Sequence, residues 1–205
     1  MSELIELHPG QDDPKLLQVI TDSLRLGAVI AYPTDSGYAL GCALRQKDAL
    51  ERIREIRELD QSHNFTLICR DLSEASRYAK ISNSAFRTLK RLTPGGYTFI
   101  FEASKEVPDL LLSKRDTIGI RIPDHLIALM IADKLGEAFI STTLILPEME
   151  TPLTESEDVI DAIGTRVDLI LDAGYAGYEP TSIIDLSCGV PVILRRGSGD
   201  VSEFE

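Results

Sequence analysis

The sequence predicts a mixed α/β fold: a twisted sheet of parallel and antiparallel strands, flanked by helices and open on a concave side. Two observations carry this. Strand and helix patterns interleave along the chain. Residues 28–43, however, hold two apolar runs split by a short turn, which marks an antiparallel pair, because a parallel pair needs a crossover of a dozen or more residues. Most connections are short, and no repeat, linker or low-complexity tract divides residues 1–205, so a single domain is expected.

The first helix is expected from about Asp13 to Leu26. Asp13 suits the N-cap, Pro14 the first turn and Gly27 the stop, with Leu16, Leu17, Ile20 and Leu24 as the apolar stripe. Strands follow on both sides of Tyr32-Pro-Thr-Asp-Ser-Gly37. Pro33 fixes its own φ and keeps Tyr32 extended, which holds Thr34 at a strand end with its hydroxyl towards a ligand. Asp48 is expected to cap a second helix bearing Leu50, Ile53 and Ile56. A buried strand at 65–69 and short helices near 73–79 and 83–92 come next, the latter broken by Thr93-Pro-Gly-Gly96. Strands are expected at 97–102 and 117–122. Asp124 is expected to cap a helix over 125–135 that Gly136 closes, and a strand follows at 138–142. Residues 147–154 form a polar loop, and Thr154-Glu-Ser-Glu157 has the capping-box pattern of a helix reaching about Ile163. The last strands are expected at 167–171, 182–186 and 192–194.

Bulk properties narrow the function classes. Apolar residues at 43% and charged residues at 26% are ordinary for a soluble globular chain, and no apolar run reaches the roughly 18 residues of a membrane span. The acidic start Met-Ser-Glu-Leu-Ile-Glu fits no secretory signal, so a cytoplasmic protein without a membrane partner is expected. Cys42, Cys69 and Cys188 show no C-x-x-C spacing, and Cys42 and Cys69 lie in apolar runs, so buried thiols are expected. His8, His63 and His125 are scattered, and no metal site is assigned. The net charge of −12 opposes non-specific nucleic-acid binding, although basic residues cluster at 52–57, 87–91, 114–121 and 195–196. No G-x-x-x-x-G-K-[ST] loop, dinucleotide fingerprint or G-x-S-x-G elbow is present.

Polar residues at expected strand ends are the candidates for chemistry: Thr34, Arg121, Ser141-Thr142-Thr143, Thr181-Ser182 and Arg195. Open α/β sheets place ligands at such ends. A guanidinium offers a planar fork of donors for a carboxylate or phosphate, and clustered hydroxyls suit the remaining edges of a small anion. Taken singly, each has an ordinary reading as a surface ion pair, a cap or a β-former.

In order, Tyr32-Pro-Thr-Asp-Ser-Gly-Tyr-Ala-Leu-Gly41, Pro94-Gly-Gly-Tyr-Thr98, Arg121-Ile-Pro123, Ser141-Thr142, Pro180-Thr-Ser-Ile-Ile-Asp185 and Ile193-Leu-Arg-Arg-Gly197 resemble the YrdC/Sua5 family of threonylcarbamoyl-AMP synthases. The resemblance covers about residues 13–197. With His63-Asn-Phe-Thr-Leu67, it is strongest to the YciO branch. It implies a YrdC/RibB-like domain and a nucleotidyltransferase-type enzyme. Such enzymes join L-threonine, bicarbonate and ATP, with Mg2+ on the nucleotide, into threonylcarbamoyl-adenylate for modification of transfer RNA. By motif position, Thr34, Arg121 and Thr181 would hold the amino acid, and Arg57, Ser141, Thr143 and Arg195 the nucleotide. No catalytic acid or base is assigned, since the reaction rests on positioning two anions.

Two signatures of that family are altered. K-x-R, which grips the ATP phosphates, falls on Arg57-Glu58-Leu59, and S-x-N on Thr143-Leu144-Ile145. Hydrogen bonds to charged groups contribute about 1.5–3 kcal/mol each. Losing two of them weakens ATP engagement by roughly two to four decades. A degraded phosphate site with weak activity is therefore expected, and a relative that binds double-stranded RNA or tRNA without synthesis is the alternative.

Overall fold

A computed structural model describes residues 2–7, 13–60, 63–112 and 116–205. His8 and the basic pair Lys114 and Arg115 lie outside the described residues. Among the described residues, ten strands form one sheet. They are β1 (Glu3–Glu6), β2 (Ile30–Thr34), β3 (Gly37–Ala43), β4 (Thr66–Ile68), β5 (Tyr97–Glu102), β6 (Thr117–Arg121), β7 (Phe139–Thr143), β8 (Leu169–Asp172), β9 (Ser182–Asp185) and β10 (Val192–Arg195). Their spatial order is β1-β8-β2-β3-β7-β4-β6-β5-β9-β10. The 28–43 segment is an antiparallel pair, with Tyr32 opposite Ala39 and Thr34 opposite Gly37. Parallel pairs join β1 to β8, β8 to β2, β4 to β6 and β5 to β9, so the sheet is mixed, as expected.

Period-two alternation sorts the strand side chains between two cores. Ile30, Tyr32, Ala39 and Phe139 join Ile20 and Leu24 of helix α1 (Pro14–Arg25) and Ile127 and Ile131 of helix α5 (Leu126–Leu135). On the opposite face, Ala31, Tyr38, Leu40 and Ile140 join Leu50 and Ile53 of α2 (Lys47–Arg57) and Val159 and Ile163 of α6 (Ser156–Ile163). Cys42 and Cys69 are buried, and burial pushes the Cys42 thiol up to about 12. Helices α3 (Leu72–Tyr78) and α4 (Asn83–Leu92) complete the set. No helix among the described residues is long and apolar enough to cross a membrane.

Asp13 caps α1 by accepting from the Lys15 N–H at 2.8 Å, and Gly136 ends α5 at φ 79°. Three expected caps differ. The N-cap of α2 is Gln46, and Asp48 lies inside the first turn. His125, rather than Asp124, is the N-cap of α5. The capping box does not form, because α6 starts one residue later with Glu155 as N-cap. Glu155 makes no side-chain cap bond, and beside it the Ser156 hydroxyl donates to the Asp172 carboxylate at 2.8 Å. Strand β1 was not anticipated from the sequence. It is four residues long, acidic at both ends, and buries only Ile5, so its pairing with β8 leaves little local pattern.

Candidate functional site

Six neighbouring strands, β7-β4-β6-β5-β9-β10, present one face to a shared cavity, with Thr181 just ahead of β9 and Ile183 within it. In register, Ser141 lies opposite Thr66, Ile68 opposite Arg121, and Thr98 opposite Ile183. The same alternation that buries Leu67, Ile120 and Ile140 turns Thr66, Arg121 and Ser141 the other way. They line a cavity of about 110 Å³ with Thr98, Thr143, Thr181 and Arg195. Gly119 adds no side chain to this floor, and a Cβ there would lie 2.8 Å from the Thr66 hydroxyl.

Five of the seven residues singled out from the sequence meet at this cavity: Arg121, Ser141, Thr143, Thr181 and Arg195. They are held from behind. The Ser141 hydroxyl is bonded to the Tyr32 phenol at 2.6 Å, and the Thr181 and Thr98 hydroxyls are bonded at 3.0 Å. Arg195 donates from Nε to the Thr181 carbonyl at 2.8 Å and from Nη2 to its hydroxyl at 3.0 Å. Arg57 stands behind the wall. Its Nη1 donates to the Thr142 hydroxyl at 3.2 Å and to the Thr143 carbonyl, so this guanidinium fastens the end of β7.

Thr34 is placed differently from the expectation. It is buried and not in the cavity wall. Its hydroxyl donates to the Gly37 carbonyl at 2.7 Å and accepts from the Ser36 N–H at 3.1 Å, and both bonds are internal to the turn. The turn is also clamped from outside. The Gly177 N–H donates to the Thr34 carbonyl at 3.1 Å. A Cβ on Gly177 would sit 2.0 Å from the Asp35 carbonyl, and Gly37, at φ +102°, leaves no room for one beside Pro152. The consequence is that Asp35 is fixed in place, with its carboxylate ion-paired to Nη2 of Arg121.

Reading the sequence missed Asp35, Thr66, Thr98, His63 and Asn64. Thr66 and Thr98 were legible as hydroxyls at alternating positions of apolar strands, and His63 and Asn64 as part of the 63–67 segment.

Charge in the cleft is unevenly matched. Arg121 is 6% exposed and pairs with Asp35, whereas no ion pair among the described residues engages Arg57 or Arg195. The Nε–H groups of Arg57 and Arg121 are buried without a partner. An unmade bond at a buried polar group costs about 1–3 kcal/mol, so both guanidinium groups are held at a cost to stability. Burial lowers the pKa of Arg57; it lowers that of Arg195 too, with the Arg121 charge adding to the effect. Burial first, then Arg57 and Arg54, hold the His63 imidazole below the ordinary histidine value. The site is thus suited to an anion.

Leu59 and Ile145 line no part of the cavity. Glu58, at φ 51°, ends α2 in the left-handed conformation, and Leu59 turns back to pack against the core. Among the described residues, no group of three or more His, Cys, Asp or Glu is placed to hold a metal. The cavity wall offers hydroxyls and guanidinium groups instead of carboxylates, so these residues do not fit a protein-held Mg2+.

A family model described as Telomere recombination (Sua5, YciO, YrdC) matches residues 22–197. The YciO protein of Escherichia coli K12 is 48% identical over 205 residues, covering all of both chains, and its crystal structure superposes with a TM-score of 0.96. A threonylcarbamoyl-AMP synthase of Halorhodospira halophila is 31% identical, covering 84% of this chain and 90% of that protein. The structure of P. abyssi Sua5 complexed with L-threonine shares the fold at TM-score 0.88 and 24% identity, covering 96% of this chain and 58% of that one.

Proposed function

Because the chain belongs to the Sua5/YciO/YrdC family, we propose that its cleft binds L-threonine and ATP and supports a weak threonylcarbamoyl-adenylate synthesis. One observation carries this reading: Arg121, Thr181, Ser141, Thr143 and Arg195, drawn from four strand regions, converge on one polar cavity. The similarity to threonylcarbamoyl-AMP synthases supports it.

In this reading Arg121 receives the threonine carboxylate and Thr181 orients it. Thr34 acts indirectly, by fixing the turn beside Arg121. Arg195, Ser141 and Thr143 take the nucleotide side, and Arg57 fixes the β7 end that carries Ser141 and Thr143. The threonine amine takes up bicarbonate with loss of water. The resulting carbamate oxygen attacks the α-phosphorus of ATP, and pyrophosphate leaves. Both reactants are anions, so the contribution of the arginines is to bring them together. Magnesium would arrive on the phosphates of ATP, and this chain's residues would act on the substrate groups only. The product would serve modification of transfer RNA.

The altered phosphate grip supports a slow reaction. Leu59 and Ile145 donate nothing to the cavity, and Arg57 is committed to Thr142 and Thr143.

The test is pyrophosphate release from ATP, threonine and bicarbonate, with an active synthase run in parallel. Slow release is expected, and Arg121→Ala is expected to lower it about 100-fold. No release at any enzyme concentration refutes synthesis, and an unchanged Arg121→Ala rate refutes the carboxylate role. Salt-sensitive tRNA binding without release would favour the RNA-binding reading, which the burial of Arg121 makes the weaker one.

A further inference from the structure

Asp35 has no place in the reading above, yet it is the carboxylate that meets the cleft's most buried arginine. Its side chain is 19% exposed, against 7% for Arg121. It is not held there by chance contact: Thr34, Ser36, Gly37 and Gly177 fix the turn that carries it. Arg121 nonetheless lines the cavity, and among the described residues Asp35 is the one carboxylate that pairs with it.

A second carboxylate arriving on this guanidinium meets Asp35 as a neighbour. Donor and acceptor atoms lie about 3 Å apart in each such bond, so the two carboxylates flank one planar group at close quarters. For a simple carboxylic acid, that placement sets like charges side by side. An α-amino acid differs, because its ammonium is joined to the carbon next to its own carboxylate. With the carboxylate on Arg121, the ammonium falls within reach of Asp35 and cancels the repulsion. The pair then matches both charges of a zwitterion.

We infer that Asp35 is the specificity residue that receives the substrate's amino group, making Asp35 and Arg121 together a reader of α-amino acids against carboxylic acids that lack the amine. The inference rests on the amino-acid site proposed above and adds a residue and a selectivity to it.

The test is calorimetric titration of the whole chain with L-threonine and with 3-hydroxybutanoate, the same skeleton without the amine. The wild-type protein is expected to prefer threonine by about tenfold or more. Asp35→Asn is expected to lose about tenfold in threonine affinity while holding 3-hydroxybutanoate as well as before or better, and Asp35→Glu to restore part of the preference. Thermal melts establish that both variants are folded, and the wild-type preference is read without any variant. If Asp35→Asn binds both ligands more tightly to the same extent, Asp35 only occupies Arg121 in the empty cleft and the inference falls. Unchanged threonine binding in Asp35→Asn overturns the inference and leaves the amino-acid site standing. Wild-type protein that binds neither ligand overturns the site itself, and the role of Asp35 with it.

Discussion

Tyr32 belongs to the core by its ring and to the cleft by its hydroxyl. The ring meets Phe139 edge-on at 5.4 Å, and the phenol bonds Ser141 at 2.6 Å. Burial raises the phenol pKa, so it stays protonated through the physiological range. Tyr32→Phe keeps the packing and removes the bond. We expect a loss of about 1 kcal/mol in urea melts, with a looser Ser141. At this scale the sequence was informative about which residues meet at the cavity and less so about the bonds they make. Arg121, Thr181 and Arg195 were legible because guanidinium and hydroxyl groups at strand ends have few structural uses in combination. The direction of Thr34 was not, because a threonine hydroxyl in a four-residue turn has backbone partners at hand, and here they take it.

At the scale of the element, the β2–β3 turn behaves as a clamped part. Gly177 presses on it from a loop far away in sequence, and the close approach tolerates no side chain. Gly177→Ala is therefore expected to cost about 1–3 kcal/mol in stability. Because the displaced atom belongs to Asp35, threonine binding should weaken beyond what the stability loss explains. A melt and a titration on the same variant check this, and unaltered binding would mean that the turn is not rigidly coupled to Arg121. Strand and helix positions followed well from periodicity, as Tyr97–Glu102 and Asn83–Leu92 show. Helix starts followed less well. Asp48, Asp124 and Thr154 are good capping types, but the N-caps are Gln46, His125 and Glu155, and none of these three makes a side-chain cap bond.

For the whole molecule, the histidines set an acid limit. Burial, reinforced by Arg57 and Arg54, lowers the pKa of His63. Burial also lowers that of His125, with Asp35 opposing it and Arg121 adding to it. The unfolded chain therefore binds these protons at higher pH than the folded chain. Well above about pH 6.5, the ordinary histidine value, both states carry neutral imidazoles and the contribution is flat. As pH falls from about 6.5 towards the lowered native values, the unfolded state gains protons that the native state does not, and stability drops. Urea midpoints should fall between pH 7.5 and 5.5, and His63→Gln should reduce the fall; an equal fall in that variant would assign it to other groups.

The strand order also governs when the protein can exist. Strand β8 lies between β1 and β2, and β9 with β10 extends the far side beyond β5. A chain emerging from the ribosome therefore carries β2 with one unpaired, apolar edge until residues near 169–172 arrive. It lacks Thr181 and Arg195 until later still. Strand edges left open in this way invite mispairing with other chains. The cavity is thus finished last, when Thr181 and then Arg195 join a wall that β4, β5, β6 and β7 have already built, and a premature stop before Thr181 removes both closing residues from it.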